Sequence, residues 1–117
     1  MREAIVINDS PSRKRAGDVR VYASIETAVR SLEICDVADK QLHLWDASGD
    51  ELAVIAADLT EVRIEKKIPR VNSVDTLTSV LIEHISRHEP STLMAGPSLN
   101  ELLTIAYRLD PDPYSGR

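Results

Sequence analysis

Phenylalanine is missing from this 117-residue chain, and other aromatics are scarce: one Trp and three Tyr. The core must therefore be built from Leu, Ile, Val and Ala. A base-stacking nucleic-acid module, which displays aromatic rings on its sheet, is disfavoured. The single cysteine, Cys35, excludes an intramolecular disulfide and fits a reducing cytosol. It follows a predicted helix, with Asp36 beside it. That setting lacks the helix N-terminus or basic neighbour that activates a thiol, so Cys35 reads as structural. No apolar run approaches the roughly 20 residues that cross a membrane. Ile5-Val6-Ile7 is too short for the apolar region of a signal peptide. The expectation is a soluble, cytoplasmic protein.

The four glycines (Gly17, Gly49, Gly96, Gly116) are scattered, and no phosphate loop, dinucleotide fingerprint, nucleophile elbow or calcium loop is formed around them. The length suits one domain, large enough to be stable without disulfides or metal.

What the chain does have is a meander. Gln41 to Asp46, Glu51 to Ala57 and Glu61 to Lys67 read as three antiparallel strands. The first two are joined by the turn Ala47-Ser48-Gly49-Asp50. Alternation puts Val62, Ile64 and Lys66 on one face of the third strand, and Glu61, Arg63 and Glu65 on the other. The middle strand is apolar on both faces and is expected to be the best covered. In the first strand Leu42 and Leu44 share a face, opposite Gln41, His43 and Trp45.

Before the meander, Val19 to Ala23 alternates as a strand. Ser24 then caps a predicted helix over about Ile25 to Ile34, with Ile25, Ala28, Val29 and Leu32 as its apolar stripe. Residues 1–17 read as a flexible arm, in which Arg2 to Ile7 fits a short strand and Ser12-Arg13-Lys14-Arg15 is a small basic cluster. After the meander, Pro69 stops the third strand, and Asn72 or Ser73 caps a helix over Val74 to Arg87. Its stripe is Val74, Leu77, Leu81 and Ile85, widened by Val80 and Ile82. Ser98 and Glu101 form a capping box for a last helix to about Arg108. Its buried face is expected to be Leu99, Leu102, Leu103, Ala106 and Leu109. Residues 110–117, with Pro111 and Pro113, read as a loose tail. The fold class is α+β: a single domain over 18–109, with the meander sheet (about 41–67) plus an N-terminal strand, and three helices on one face.

Candidate chemistry is sparse. His84 and His88 are four apart on one helix and share a face. A zinc site needs three or four ligands, so they read as solvated histidines near a helix C-terminus. The carboxylate pairs Asp36 with Asp39 and Asp50 with Glu51 lie in polar turns, not in the apolar pocket that acid–base catalysis needs. No catalytic residue, metal or cofactor is expected. An enzyme would require a pocket joining His43, His84 or His88 to a buried acid.

Charge is the stronger signal. The net charge is −5. From Glu33 to Glu61 there are eight acids and one base, Lys40, giving −7 and leaving the rest of the chain at +2. These acids fall at turns and strand ends, where they form either a solubilising surface or a rim that steers a basic partner. Trp45, beside Asp46, reads either as core or as an exposed anchor for that partner.

Three runs together (Val21-Tyr22-Ala23-Ser24-Ile25-Glu26-Thr27-Ala28, Leu32-Glu33-Ile34-Cys35-Asp36-Val37 and Leu44-Trp45-Asp46-Ala47-Ser48-Gly49-Asp50-Glu51-Leu52) resemble small bacterial immunity proteins. Those are encoded beside polymorphic toxins of contact-dependent or secreted competition systems. The resemblance spans about residues 19–66; the basic arm and the Pro-rich tail lie outside it. It implies a non-catalytic inhibitor that docks on a cognate toxin domain, for example a basic nuclease-like one. The expected contacts are Asp36, Asp39, Asp46, Asp50, Glu51 and Asp58, with Trp45 as anchor. Neither a membrane nor nucleic acid is an expected partner. The alternative function is a small regulatory or scaffold subunit that acts by homo-oligomerisation or adaptor binding.

Overall fold

The computed structural model of the chain describes residues 1–32, 41–56 and 61–114. Its sheet has five antiparallel strands: β1 (Ile5–Asp9), β2 (Asp18–Tyr22), β3 (Leu42–Asp46), β4 (Glu51–Ala56) and β5 (Val62–Lys66). Their spatial order is β2-β1-β3-β4-β5. The α+β class is as expected, but the N-terminal segment is not a flexible arm. Ile5-Val6-Ile7 is apolar at three successive positions, so both of its faces need cover. β1 obtains it as an interior strand, with Val6 opposite Val21 on one side and Trp45 on the other. The loop after it is tied down by buried Asn8. Its amide donates to the Arg15 carbonyl, and its Oδ1 accepts from the Gly17 N–H, both at 2.9 Å. A Cβ on Gly17 would collide with the Asp9 carbonyl oxygen, which explains the glycine.

Among the described residues the α-helices are α1 (Ile25–Arg30), α2 (Val74–His88) and α3 (Leu99–Leu109). They divide between the two faces instead of sharing one. Register alternation explains why: Val6, Val19, Val21 and Trp45 point one way, and Ile5, Ile7, Tyr22, Leu44, Leu52 and Ile64 the other. On the first face they pack with Leu77, Val80, Leu81 and Ile85 of α2 and with Leu102, Leu103, Ile105 and Ala106 of α3. On the second, the sheet packs with Ala28 of α1. Each fully buried Leu or Ile contributes about 1.5–3 kcal/mol, so the face under α2 and α3 is the main core.

The capping box expected at Ser98 and the N-cap expected at Ser24 both form, and Ser24 proves to be a capping box as well. Ser98 accepts from the Glu101 N–H, and the Glu101 carboxylate accepts from the Ser98 N–H. Ser24 does the same with Thr27. α1 is shorter than expected. The Ser31 hydroxyl donates to the Ala28 carbonyl at 2.7 Å, and the last turn tightens to i→i+3 bonds. Ile82, expected in the α2 stripe, is exposed, while His84 is buried in it. The predicted end of the first helix, Glu33 and Ile34, lies outside the described residues.

β4 is not the best-covered strand. Glu51 and Leu52 are buried, but Ile55 is 39% exposed and Ala56 open. The first part of the tail is anchored, not loose. Asp112 is buried and accepts from the Ala23 and Tyr114 N–H groups, and Asp110 pairs with Arg20 at 2.6 Å. Burial alone would disfavour the Asp112 charge. Hydrogen bonds from Thr27, Ala23 and Tyr114 outweigh that and hold its carboxyl below the usual range.

Candidate functional site

The β3–β4 turn is built around Asp46, whose Oδ1 accepts from the Ser48 and Asp50 N–H groups at 2.9 and 3.1 Å. Gly49 adopts φ 86°, and a Cβ there would lie 2.6 Å from Val74. Only glycine meets both demands. The close approach brings the start of α2 against the turn, with the Ser73 N–H donating to the Gly49 carbonyl.

This delivers Asp50 and Glu51 into a shell of cations. Asp50 Oδ1 accepts from Arg70 Nε at 2.7 Å and Asn72 Nδ2 at 2.9 Å, and Oδ2 from Lys66 Nζ at 3.3 Å. Glu51 Oε1 accepts from Lys67 Nζ at 2.9 Å; Oε2 accepts from Arg13 Nη1 at 2.8 Å and the Ser73 hydroxyl at 2.7 Å. The Trp45 indole N–H donates to that same hydroxyl at 2.9 Å, which completes a relay from Trp45 through Ser73 to Glu51. Ser73 therefore stands at the helix N-cap without capping. Asn72 Oδ1 takes over, accepting from the Val74 N–H.

Two acids thus face four cations: Arg13, Lys66, Lys67 and Arg70. Bonds from Asn72 and Arg70 push the Asp50 pKa down to about 2. Burial works against the Glu51 charge, but Ser73, Lys67 and Arg13 overcome it and its pKa is lowered. Both carboxylates stay ionised at neutral pH.

The predicted contacts scatter accordingly. Trp45 is 0% exposed and is core, so its reading as an exposed anchor is corrected: its ring fills the layer under α2 and its one polar atom is satisfied inside. The Glu51 carboxylate is 4% exposed and committed within the chain, as is that of Asp50. Asp46 remains half-buried at the surface. Asp36, Asp39 and Asp58 lie outside the described residues, as does Cys35. Composition flagged the acids, but their partners come from positions 16 to 38 residues away in sequence. The one available hint was the basic run Lys66, Lys67, Arg70 directly after the acidic segment.

Among the described residues, three surface clefts bear on the predicted site. One, of about 190 Å³, lies where β3 and β4 diverge, since their ladder holds only Leu44 with Leu52 and Trp45 with Glu51. His43 and Glu51 both line it. His43 Nε2 sits 3.0 Å from the Ser10 carbonyl, and Glu51 is kept charged by its partners, the reverse of the raised pKa a general acid needs. A second, of about 350 Å³, is bordered by Asp9, Asp18, Arg20 and Tyr114. The third, of about 250 Å³, gathers Arg2, Glu3, Ser24, Ile25, Glu26 and Asp46. Its lining holds three carboxylates, one cation and Ile25, an apolar side chain 45% exposed.

His84 is buried beside His88, ring centroids 4.8 Å apart, so the pair is not doubly solvated as expected. Burial, then the nearby His88 and Arg87 charges, lowers the His84 pKa. Among the described residues no three His, Cys, Asp or Glu side chains gather as a metal site, and no helix is long and apolar enough to cross a membrane. Comparison with protein-family models, with curated proteins and with solved structures gives no match to this chain.

Proposed function

We propose that this chain is a non-catalytic inhibitor that binds and neutralises a cognate bacterial toxin domain, and that it docks through the groove lined by Glu3, Glu26, Asp46 and Ile25. The observation that carries this reading is the composition of that groove: its lining holds three carboxylates, one cation and the exposed apolar Ile25. Acids of this kind steer a basic domain into encounter and raise the on-rate. The exposed Ile25 supplies the desolvated anchor that the buried Trp45 cannot. Asp50 and Glu51 serve the reading indirectly, by fixing the turn that carries Asp46. The resemblance of the 19–66 segment to small immunity proteins points the same way.

The test is affinity capture from the native host followed by a toxicity assay. The expected result is a larger protein with a terminal domain that arrests growth when expressed alone and is silenced by this chain. Glu3→Lys with Glu26→Lys, both at exposed positions, should then lower the on-rate at low salt at least about tenfold. An unchanged on-rate would remove the groove from the contact. A captured set without any growth-arresting domain would remove the toxin.

A further inference from the structure

The outer edge of β5 has a pattern that the toxin reading does not use. Among the described residues β5 is the last strand of the sheet. Its hydrogen-bonding phase follows from two bonds beside the start of β4. The Asp46 N–H donates to the Asp50 carbonyl, so Asp50 turns its backbone toward β3 and Glu51 turns its own toward β5. The Lys67 N–H accordingly donates to the Glu51 carbonyl. In the antiparallel register that pairs Ala53 with Glu65 and Ile55 with Arg63, the odd positions of β5 bond inward to β4. Val62, Ile64 and Lys66 therefore direct their N–H and C=O groups outward. Such an edge is a template for another strand.

Which strand fits is decided by the side chains. Arg63 and Glu65 flank Ile64 symmetrically on the face away from α1, and both are about half exposed. We propose that β5 pairs with β5 of a second copy of this chain, antiparallel about a two-fold axis at Ile64, to form a continuous ten-stranded sheet. In that register Ile64 meets Ile64 of the second copy as a hydrogen-bonded pair. Val62 and Lys66 also meet across the axis, so every outward N–H and C=O of the strand is used. Arg63 falls opposite Glu65 of the second copy, and Glu65 opposite its Arg63, in the non-hydrogen-bonded positions where side chains come closest. Ile64, covered by α1 on the other face, extends the apolar layer across the axis.

The same charges exclude the neighbouring registers. An axis at Arg63 sets Arg63 against Arg63. An axis at Glu65 sets Glu65 against Glu65, and Arg63 against Lys67. An axis at Lys66 sets two lysines face to face. An axis at Val62 would set Glu61 opposite Arg63 but carries Ile64 and Lys66 past the end of β5, whereas the Ile64 axis pairs Val62–Lys66 over its whole length.

Sedimentation equilibrium of the full chain tests this, together with amide exchange. The expected result is a dimer in which the Val62, Ile64 and Lys66 amides gain protection as concentration rises, while Arg63 and Glu65, already bonded to β4, do not change. Arg63→Glu should weaken association about tenfold. Adding Glu65→Arg should restore it, since opposite charges then face each other again. A chain monomeric at every concentration leaves the edge to a foreign strand or to water and overturns the proposal. A dimer without the alternating protection, or one indifferent to the reversals, overturns it equally. The exchange pattern needs no substitution, so it decides the matter even where a variant folds poorly.

Discussion

The two halves of the sheet are held by different forces. β1 and the Leu44–Trp45 end of β3 have apolar layers on both faces, while β2 has one under α2 and α3 and turns Tyr22, Arg20 and Asp18 to the other side. β4 and β5 have such a layer on the α1 face only. On the other face Glu51, Ala53, Ile55, Arg63 and Glu65 alternate outward, and Ile55, Arg63 and Glu65 are open to solvent. At the start of this open half sit Asp50 and Glu51, each clamped by cations from β5, the loop after it, or the N-terminal segment. Where burial runs short, a charge-assisted network stitches the elements instead. Such networks fix a geometry more surely than they add stability.

The comparison can be broken in the covered half first. Leu81→Ala removes a fully buried side chain under the sheet and should cost about 3 kcal/mol in chemical denaturation. A much smaller loss would mean that α2 is not the main cover. Glu51→Gln tests the open half. It weakens the bonds from Arg13 and Lys67 but leaves those cations partly in water, so the expected loss is about 2 kcal/mol. Amide exchange should accelerate in β4 and β5 and stay slow in β1. Uniform acceleration would mean that the two halves are not distinct.

Asp50 adds a pH dependence with a definite sign. Its pKa lies at about 2 in the folded chain, below its ordinary 3.8. The folded state therefore binds that proton less readily than the unfolded state. The stabilisation is complete above about pH 4 and is lost as pH falls toward 2. Asp50→Asn should be less stable than the parent at neutral pH, and the gap should close across that acid window. A gap that is constant with pH would contradict the clamp. The smallest effect belongs to Ile55→Ser, at the exposed end of β4, which should shift stability by no more than about 0.5 kcal/mol.

The local features were legible in the sequence. Ser98 with Glu101 announced its helix because a capping box is complete within four residues. Val62 and Ile64 announced their buried face because strand periodicity is local. β1 was obscured because its place is set by two ladders to β2 and β3, and nothing inside Ile5-Val6-Ile7 names those partners. The side chosen by α1 was hidden for the same reason. Asp50 and Glu51 were visible as charges but not as a clamp, since Arg13 lies 38 residues before Glu51 and Arg70 lies 20 after Asp50. The Trp45 N–H found its acceptor in Ser73, 28 residues on, at a position that local rules assign to capping. Two acids of the acidic stretch, Asp50 and Glu51, became, once folded, the centre of a cationic shell.

The most direct test of this account is a side-chain carboxyl titration of Asp50 by NMR. The clamp predicts a pKa of about 2. A value near its ordinary 3.8 would mean that Arg70, Asn72 and Lys66 do not hold the carboxylate. The acids of the turn would then be free surface, available to a partner after all.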